Sequence, residues 1–138
     1  MARYISDNDY AVVIDKTAFD AIKKNDASKV QLAEELAIDE IKGYLDAYDV
    51  DRLFSYNGTW RPAKLIGIIC DMALYHLNST LPGRMGNEIR GQRYQDAIAW
   101  LKLVQKGQIV PTGFPRIIYT DDNSSVMIGG KNPVGFEW

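Results

Sequence analysis

The sequence predicts an all-α protein: a small bundle of three long helices plus short N-terminal helices, with an extended or β-hairpin C-terminal tail. Two observations predict this class. Apolar residues recur at three- and four-residue steps over residues 26–48 and 88–106, which is the period of one helix face. Between them, residues 62–78 are apolar on all sides of a helix, and such a helix is buried all round. We therefore expect residues 62–78 to form the central helix of the bundle.

Length, charge and cysteine content restrict the class of protein. The 138 residues suit one domain, which we divide into a bundle at residues 1–111 and an extension at residues 112–138. A net charge of −2 provides no overall field that would attract nucleic acid or an anionic membrane. The central stretch carries two charged residues, Lys64 and Asp71, which is too many for a membrane span. The single cysteine, Cys70, excludes an internal disulfide and a cysteine-based metal site, and no signal peptide is visible, so we expect folding in the cytoplasm.

The N-terminal part predicts two short helices. Cap residues between Ser6 and Asp9 precede a short helix at residues 10–14. Thr17 is predicted to cap a second one at residues 17–22.

The first long helix is predicted at residues 26–48, with a cap at Asp26 or Ser28. Its charged residues mostly fall outside the apolar stripe, among them Glu34, Glu35, Asp39, Glu40 and Lys42. Gly43 weakens a helix interior by up to about 1 kcal/mol. We nevertheless expect Gly43 to allow close helix packing rather than to end the helix.

Residues 49–61 are predicted to be a connector. Asn57-Gly58 is a turn signal, and the apolar and aromatic side chains up to Trp60 predict that the connector packs onto the bundle. The central helix then starts at Pro62, which suits a first helical turn.

The third long helix is predicted at residues 88–106, after an exposed loop at residues 81–87. Asn87 is the expected cap, and Gly107 the left-handed residue that ends the helix. Beyond it, residues 116–120 and 125–128 could pair as a hairpin.

No group of side chains predicts catalysis, a cofactor or a metal. His76 is the sole histidine, and no ligand partner lies at a metal-binding spacing from it. Asp49-x-Asp51 lacks the glycine and the distal glutamate of a calcium loop, so helix capping is the favoured interpretation. The glycines at residues 83–91 match no phosphate-binding motif, and the arginines near them leave an anion contact as a minor alternative.

Asp71 is predicted to form a structural ion pair with Arg93. An unpaired charge within so apolar a helix would be very costly, and a guanidinium on the third helix suits a carboxylate. The pair would fix the register of the two helices. If it is buried, Asp71→Ala is expected to cost about 3–5 kcal/mol.

The segments LIGIICDMALYHL and IRGQRYQDAIAWLKLVQKGQIVP resemble the Mu-like neck proteins of tailed phages and prophages. These are small head–tail connector or head-completion proteins. The resemblance covers roughly residues 5–111 and rests mainly on Asp71, Arg93, Tyr94, Ala97, Trp100, Leu101, Gly107 and Pro111. It implies an all-α fold, no catalytic residues, and a ring of copies that extends the portal channel and docks the tail. It also implies assembly in the host cytoplasm, a final place in the virion, and DNA passage without specific nucleic-acid binding.

Three other functions are weighed against this one. A non-viral helical adaptor would bind a protein partner through the connector or the C-terminal tail. A small enzyme would place Asp71, Tyr75 and His76 around one pocket, with perturbed titration. A nucleic-acid binder is least favoured because of the net charge.

The C-terminal tail has two interpretations of equal weight. Phe114, Phe136 and Trp138 are candidate anchors for docking on a neighbouring subunit. Alternatively, the tail folds back over its own bundle, which would bury the same aromatic side chains.

Overall fold

The computed structural model describes residues 3–25, 27–78 and 87–118, and the side chains of Asn25 and Asn87 are outside this description. The elements in chain order are a 3₁₀ helix at Asp7–Val12, α1 at Lys16–Asn25, α2 at Ala27–Lys42, α3 at Val50–Leu53, a second 3₁₀ helix at Gly58–Trp60, α4 at Ala63–Asn78 and α5 at Asn87–Gln105. The all-α prediction is confirmed, since the described residues pair as β-structure only in one isolated bridge.

Helix α4 is the centre of the bundle, as predicted. Both α2 and α5 pack against it, and Leu65, Ile69, Cys70 and Ala73 have no exposed surface. Together with Ile68 and Leu74, which are 3% and 1% exposed, these residues cover about two thirds of the helix circumference, so α4 is enclosed on most sides. No helix within the described ranges is both long enough and apolar enough to cross a membrane.

Helix α5 runs antiparallel to α4. Lys64, near the start of α4, lies 5.3 Å from the ring centroid of Trp100, near the end of α5. Asp71, halfway along α4, instead meets Arg93 in the first half of α5. Contacts therefore run in opposite order along the two helices.

Helix α2 also runs antiparallel to α4. Ala33, in its first half, lines a groove together with Leu77 at the end of α4. Tyr48, which follows α2, is linked through the ring of Phe114 to Trp100 at the opposite end of the bundle. Helices α2 and α5 consequently point in the same direction on either side of α4.

The prediction of one helix over residues 26–48 was wrong at its C-terminal end. Helix α2 ends at Lys42, and the backbone N–H of Gly43 donates to the carbonyl of Glu40 at 3.1 Å. Similar tight turns follow, and they bring Leu45 and Tyr48 into the core. Gly43 thus marks the helix end instead of allowing closer packing. The apolar spacing continued beyond it because tight turns bury Leu45 and Tyr48 as well as a helix would.

The N-terminal helices form with boundaries and caps that differ from those predicted. The first is a 3₁₀ helix that starts at Asp7, and the backbone N–H of Ser6 donates to Asp9 Oδ2 at 2.7 Å. The cap of α1 is Asp15, whose Oδ2 accepts from the backbone N–H groups of Thr17 and Ala18. The prediction of Thr17 as the cap was therefore wrong, because an aspartate two residues earlier occupies that role.

The connector packs on the bundle along part of its length. Asp49 caps α3, accepting from the backbone N–H of Arg52 at 3.1 Å, and Leu53 is fully buried. Gly58, at the predicted turn, has a left-handed conformation with a φ of 59°. Trp60 is 77% exposed, so the expectation that the connector packs onto the bundle is wrong for this side chain.

Helix α5 ends at Gln105, two residues before Gly107, the residue predicted to end it. This residue has a φ of 81°, and the backbone N–H of Gln108 donates to the carbonyl of Leu103 at 2.9 Å. Such a bond is typical of a glycine-terminated helix. Residues 81–86 of the predicted loop lie outside the described residues.

The segment after α5 folds back on the bundle. Phe114 is 6% exposed, and its ring meets those of Tyr48 and Trp100 edge-on. The carbonyl of Pro115 accepts from the backbone N–H of Asp49 at 2.8 Å, and a β-bridge joins Arg116 to Tyr48. The predicted hairpin strand at residues 116–120 thus pairs, over its described part, with residues 47–49, and the other predicted strand lies outside the described residues.

Candidate functional site

Three clusters of polar side chains tie the elements together, and the first joins α4 to α5. Arg93 Nε donates to Asp71 Oδ1 at 2.7 Å, so the contact predicted from the sequence is present. The Asp71 side chain is 15% exposed and that of Arg93 is 41% exposed. The pair therefore lies at the edge of the core, where solvent screens the arginine.

Arg90 also belongs to this first cluster. Its Nη1 lies 4.0 Å from Asp71 Oδ1, and its Nη2 donates to the carbonyl of Val13 at 3.1 Å. Among the described residues, Nη1 is the buried side-chain nitrogen without a hydrogen-bond partner. Burial lowers the pKa of Arg90, and the charge of Asp71 opposes this shift. Asp71 consequently compensates two guanidinium groups.

The second cluster joins α2, α4 and α5 around Glu40. His76 Nε2 lies 2.6 Å from Glu40 Oε1, and the Tyr94 hydroxyl donates to Glu40 Oε2 at 2.9 Å. The rings of Tyr75 and Tyr94 stack with centroids 4.1 Å apart. Burial and the hydrogen bond to Glu40 raise the pKa of Tyr94 to about 12, so this phenol keeps its proton at neutral pH.

The third cluster holds the N-terminal segment on α2. Arg3 donates to both oxygens of Glu34, from Nη2 at 2.7 Å and from Nε at 3.0 Å. The hydroxyl of Tyr10 also donates to Glu34, and its ring stacks on that of Phe19 at 4.3 Å. Burial, and next the charge of Glu34, raise the pKa of Tyr10 far above its ordinary value. We call Arg3, Glu34 and Tyr10 the N-terminal clamp.

A second ion pair supports the N-terminal clamp from the connector. Arg61 Nη1 donates to Asp9 Oδ2 and to the carbonyl of Tyr4, both at 2.7 Å. Burial acts to raise the pKa of Asp9, but the hydrogen bonds from Arg61 and Ser6 outweigh it, so the pKa is lowered. These contacts fix residues 3–9 against the bundle.

The grooves formed by the described residues do not bring the three residues of the enzyme hypothesis together. Asp71 lines a groove with Lys64 and Arg93, whereas His76 lines a different groove with Leu36. Tyr75 stacks on Tyr94 and lines neither of these two grooves. Within the described residues no group of three or more His, Cys, Asp or Glu side chains could hold a metal ion.

The candidate docking residues have different outcomes. Phe114 is buried in its own bundle, with its ring between Tyr48 and Trp100, which agrees for this residue with the interpretation that the tail folds back over its own bundle. Phe136 and Trp138 lie outside the described residues. The largest exposed apolar side chains of α2 are Leu32 at 62% and Leu36 at 48% exposure.

The sequence analysis missed Glu34 as a buried residue. Glu34 is 2% exposed, although it belongs to a Glu-Glu pair that was assigned outside the apolar stripe. A signal was available, because Val30, Glu34, Ala37 and Ile41 are spaced by four, three and four residues, which places them on one helix face. Its partner Arg3 could not be identified, since nothing in the local pattern links residues so far apart.

Comparison with known proteins identifies the family that the chain resembles. A family model described as "Bacteriophage Mu, Gp36" matches residues 1–113, which is most of the chain. No curated protein and no solved structure matches.

Proposed function

Because the chain belongs to the bacteriophage Mu Gp36 family, we propose that it is a structural subunit of the neck of a tailed phage or prophage. In this role it docks between the portal and the tail, as a head–tail connector or head-completion protein. The family match over residues 1–113 carries the proposal. It agrees with the resemblance of the central and third long helices to Mu-like neck proteins.

The use of the polar side chains supports a structural role without catalysis. Asp71 pairs with Arg93 between two helices, and Glu34 pairs with Arg3 between the N-terminal segment and α2. Such pairs fix which elements meet and in which register. We propose that the polar groups serve packing, with no catalytic residue and no cofactor.

The proposed role includes several partners. Copies of the chain form a ring on assembly, and this ring contacts portal and tail proteins. Genome DNA passes through the ring without specific binding, which a chain of net charge −2 permits because passage requires no affinity. The protein assembles in the host cytoplasm and remains in the virion.

The experiment that tests this role removes the gene from the phage or prophage that carries it. We expect electron microscopy of lysates to show DNA-filled heads and separate tails, because the joint between them is missing. Expression of the parent chain in trans should restore tailed particles. Normal tailed particles without the gene, or purified virions that lack the protein, would contradict the proposal.

A second measurement separates the neck subunit from the helical adaptor. A neck subunit should cosediment with purified portal rings, and its gene should lie beside the portal and tail genes. An adaptor unrelated to phages should do neither. The same sample, viewed by electron microscopy, should show extra density at one end of the portal.

A further inference from the structure

Two exposed helical stripes have the same spacing, and their charged residues follow in the reverse order. The α2 stripe consists of Lys29, Leu32, Leu36 and Asp39, and the α5 stripe of Asp96, Ala99, Leu103 and Lys106. Both follow steps of three, four and three residues, which keep side chains on one side of a helix. Lys106 continues the helical pattern, since its backbone N–H donates to the carbonyl of Lys102 at 3.0 Å.

We propose that the α2 stripe of one copy packs in parallel against the α5 stripe of a second copy. In this register the pairs across the interface are Lys29 with Asp96, Leu32 with Ala99, Leu36 with Leu103, and Asp39 with Lys106. Apolar side chains meet at the centre and opposite charges meet at both ends. The arrangement is that of a specific interface, with an apolar centre and a polar rim.

The exposure of these side chains supports the pairing. Leu32, Leu36 and Leu103 are 62%, 48% and 36% exposed, and Leu32 and Leu36 line an open apolar groove with Leu77. In the part of the chain that the structure describes, the Lys29 and Asp39 side chains make no hydrogen bond or ion pair.

The charged side chains of the α5 stripe also have few partners within the described residues. The Lys106 side chain likewise has no partner among the described residues, and Asp96 accepts one hydrogen bond, from Gln92 on its own helix at 2.8 Å. That bond leaves the second carboxylate oxygen for a lysine of another copy.

The two stripes lie on opposite sides of the molecule. The α2 stripe borders a groove that Leu77 lines, and the α5 stripe borders a groove that Ile68 and Asp96 line. Ile68 and Leu77 are nine residues apart on α4, which is about two and a half helical turns, so they face opposite ways. One copy can therefore bind two neighbours at the same time.

The direction of the helices favours a ring. Helices α2 and α5 point the same way within one chain, so parallel pairing between copies keeps all copies pointing the same way. Contacts between two different surfaces generate a closed ring or an open filament. The inference rests on the ring formation included in the proposed function and names the surfaces that would form it.

A charge-reversal experiment tests the pairing. One variant reverses the α2 stripe (Lys29→Glu with Asp39→Lys), and another reverses the α5 stripe (Asp96→Lys with Lys106→Glu). Each variant alone sets like charges against each other, so we expect self-association in sedimentation experiments to weaken at least about ten-fold. A mixture of the two variants, or one chain with all four changes, should recover the association of the parent, because opposite charges meet again.

Disulfide trapping detects the contact even when association is transient. A chain with Leu36→Cys and Leu103→Cys should form a ladder of covalent oligomers on oxidation, because each copy links to two neighbours. The matched control carries Leu36→Cys and Gln105→Cys, since Gln105 points about 200° round α5 from Leu103. Cys70 is fully buried and should not react while the chain is folded.

The outcomes separate this inference from the proposed function. Equal ladders from both cysteine variants, or unaltered association after charge reversal, would overturn the stripe pairing. A parent that stays monomeric at millimolar concentration, together with no ladder from the chain with Leu36→Cys and Leu103→Cys, would overturn it as well. The neck role would still stand in these cases if deletion of the gene gives separate heads and tails, whereas a ladder from a chain absent from virions would overturn the neck role alone.

Discussion

The N-terminal clamp and the Asp71 cluster both set a carboxylate of a long helix against arginine, but they differ in enclosure. The Glu34 side chain is 3% exposed and receives three hydrogen bonds, two from Arg3 and one from Tyr10. The Asp71 side chain is 15% exposed, and its partner Arg93 is 41% exposed. The same chemistry should therefore contribute more free energy at Glu34 than at Asp71, because solvent competes less there.

The two regions also differ in what they join. The N-terminal clamp ties residues 31 positions apart, and it holds a segment that lies outside the three long helices. The Asp71 cluster joins two long helices that already share an apolar interface. We infer that the N-terminal clamp acts together with the Arg61 contacts to hold the N-terminal segment on the bundle, whereas the Asp71 cluster adjusts the register of helices that pack anyway.

The largest expected effect is at Glu34. Glu34→Ala leaves the Tyr10 hydroxyl buried without an acceptor and Arg3 without its main partner, so we expect a loss of about 3 kcal/mol in the free energy of unfolding. Urea denaturation followed by circular dichroism measures it. Glu35→Ala is the matched control, because Glu35 is an exposed neighbour on the same helix, and it should change stability by less than about 0.5 kcal/mol. Equal effects of the two substitutions would contradict the difference between the clusters.

A smaller effect is expected at Asp71. Asp71→Ala removes the acceptor of Arg93 and the compensating charge of Arg90, and we expect a loss of about 2 kcal/mol. This is less than the 3–5 kcal/mol expected for a buried pair, because Arg93 is 41% exposed. The same denaturation experiment applies, with Asp96→Ala as the control. A loss under about 1 kcal/mol would place the pair among ordinary exposed ion pairs.

The smallest effect is expected at Asp9 and depends on pH. Its pKa is lower in the folded chain than in the unfolded chain, where it is about 3.9. The stability that Asp9 contributes is thus complete above about pH 5 and is lost as pH falls through its unfolded and then its folded pKa.

Asp9→Asn should therefore destabilise the chain by about 1 kcal/mol at pH 7 and by less at pH 3. Denaturation at both pH values measures the difference between parent and variant. Part of the acid sensitivity should remain, since the pKa of Asp7 is also lowered, mainly by its hydrogen bond with Lys23. An identical loss at both pH values would refute the role assigned to the Asp9 charge.

Sequence patterns predicted the apolar architecture better than the polar contacts. The central helix and the end of α5 near Gly107 follow from local composition, and Asp71 stood out because an acid is rare in so apolar a run. Glu34 did not stand out, because acidic neighbours on the same helix hide a single buried carboxylate. Its partner depends on tertiary structure, which brings Arg3 to α2.

The end of α2 and the burial of Phe114 could not be read from local sequence for a related reason. Tyr44, Leu45 and Tyr48 continue a helical spacing beyond Gly43, yet the chain buries Leu45 and Tyr48 through tight turns. Spacing alone does not distinguish these geometries. Phe114 lies in a segment rich in proline and glycine, and the aromatic pocket that receives it comes from residues distant in sequence.

Because Cys70 is buried, the reaction of its thiol reports local opening of the bundle. Its side chain has no exposed surface, and burial raises the pKa of its thiol well above the ordinary value. Since the thiolate is the species that reacts, alkylating reagents can modify it only when α4 separates from its neighbours. The labelling rate of this native thiol thus measures how often the bundle opens, in the free chain or in an assembled particle, without any introduced probe.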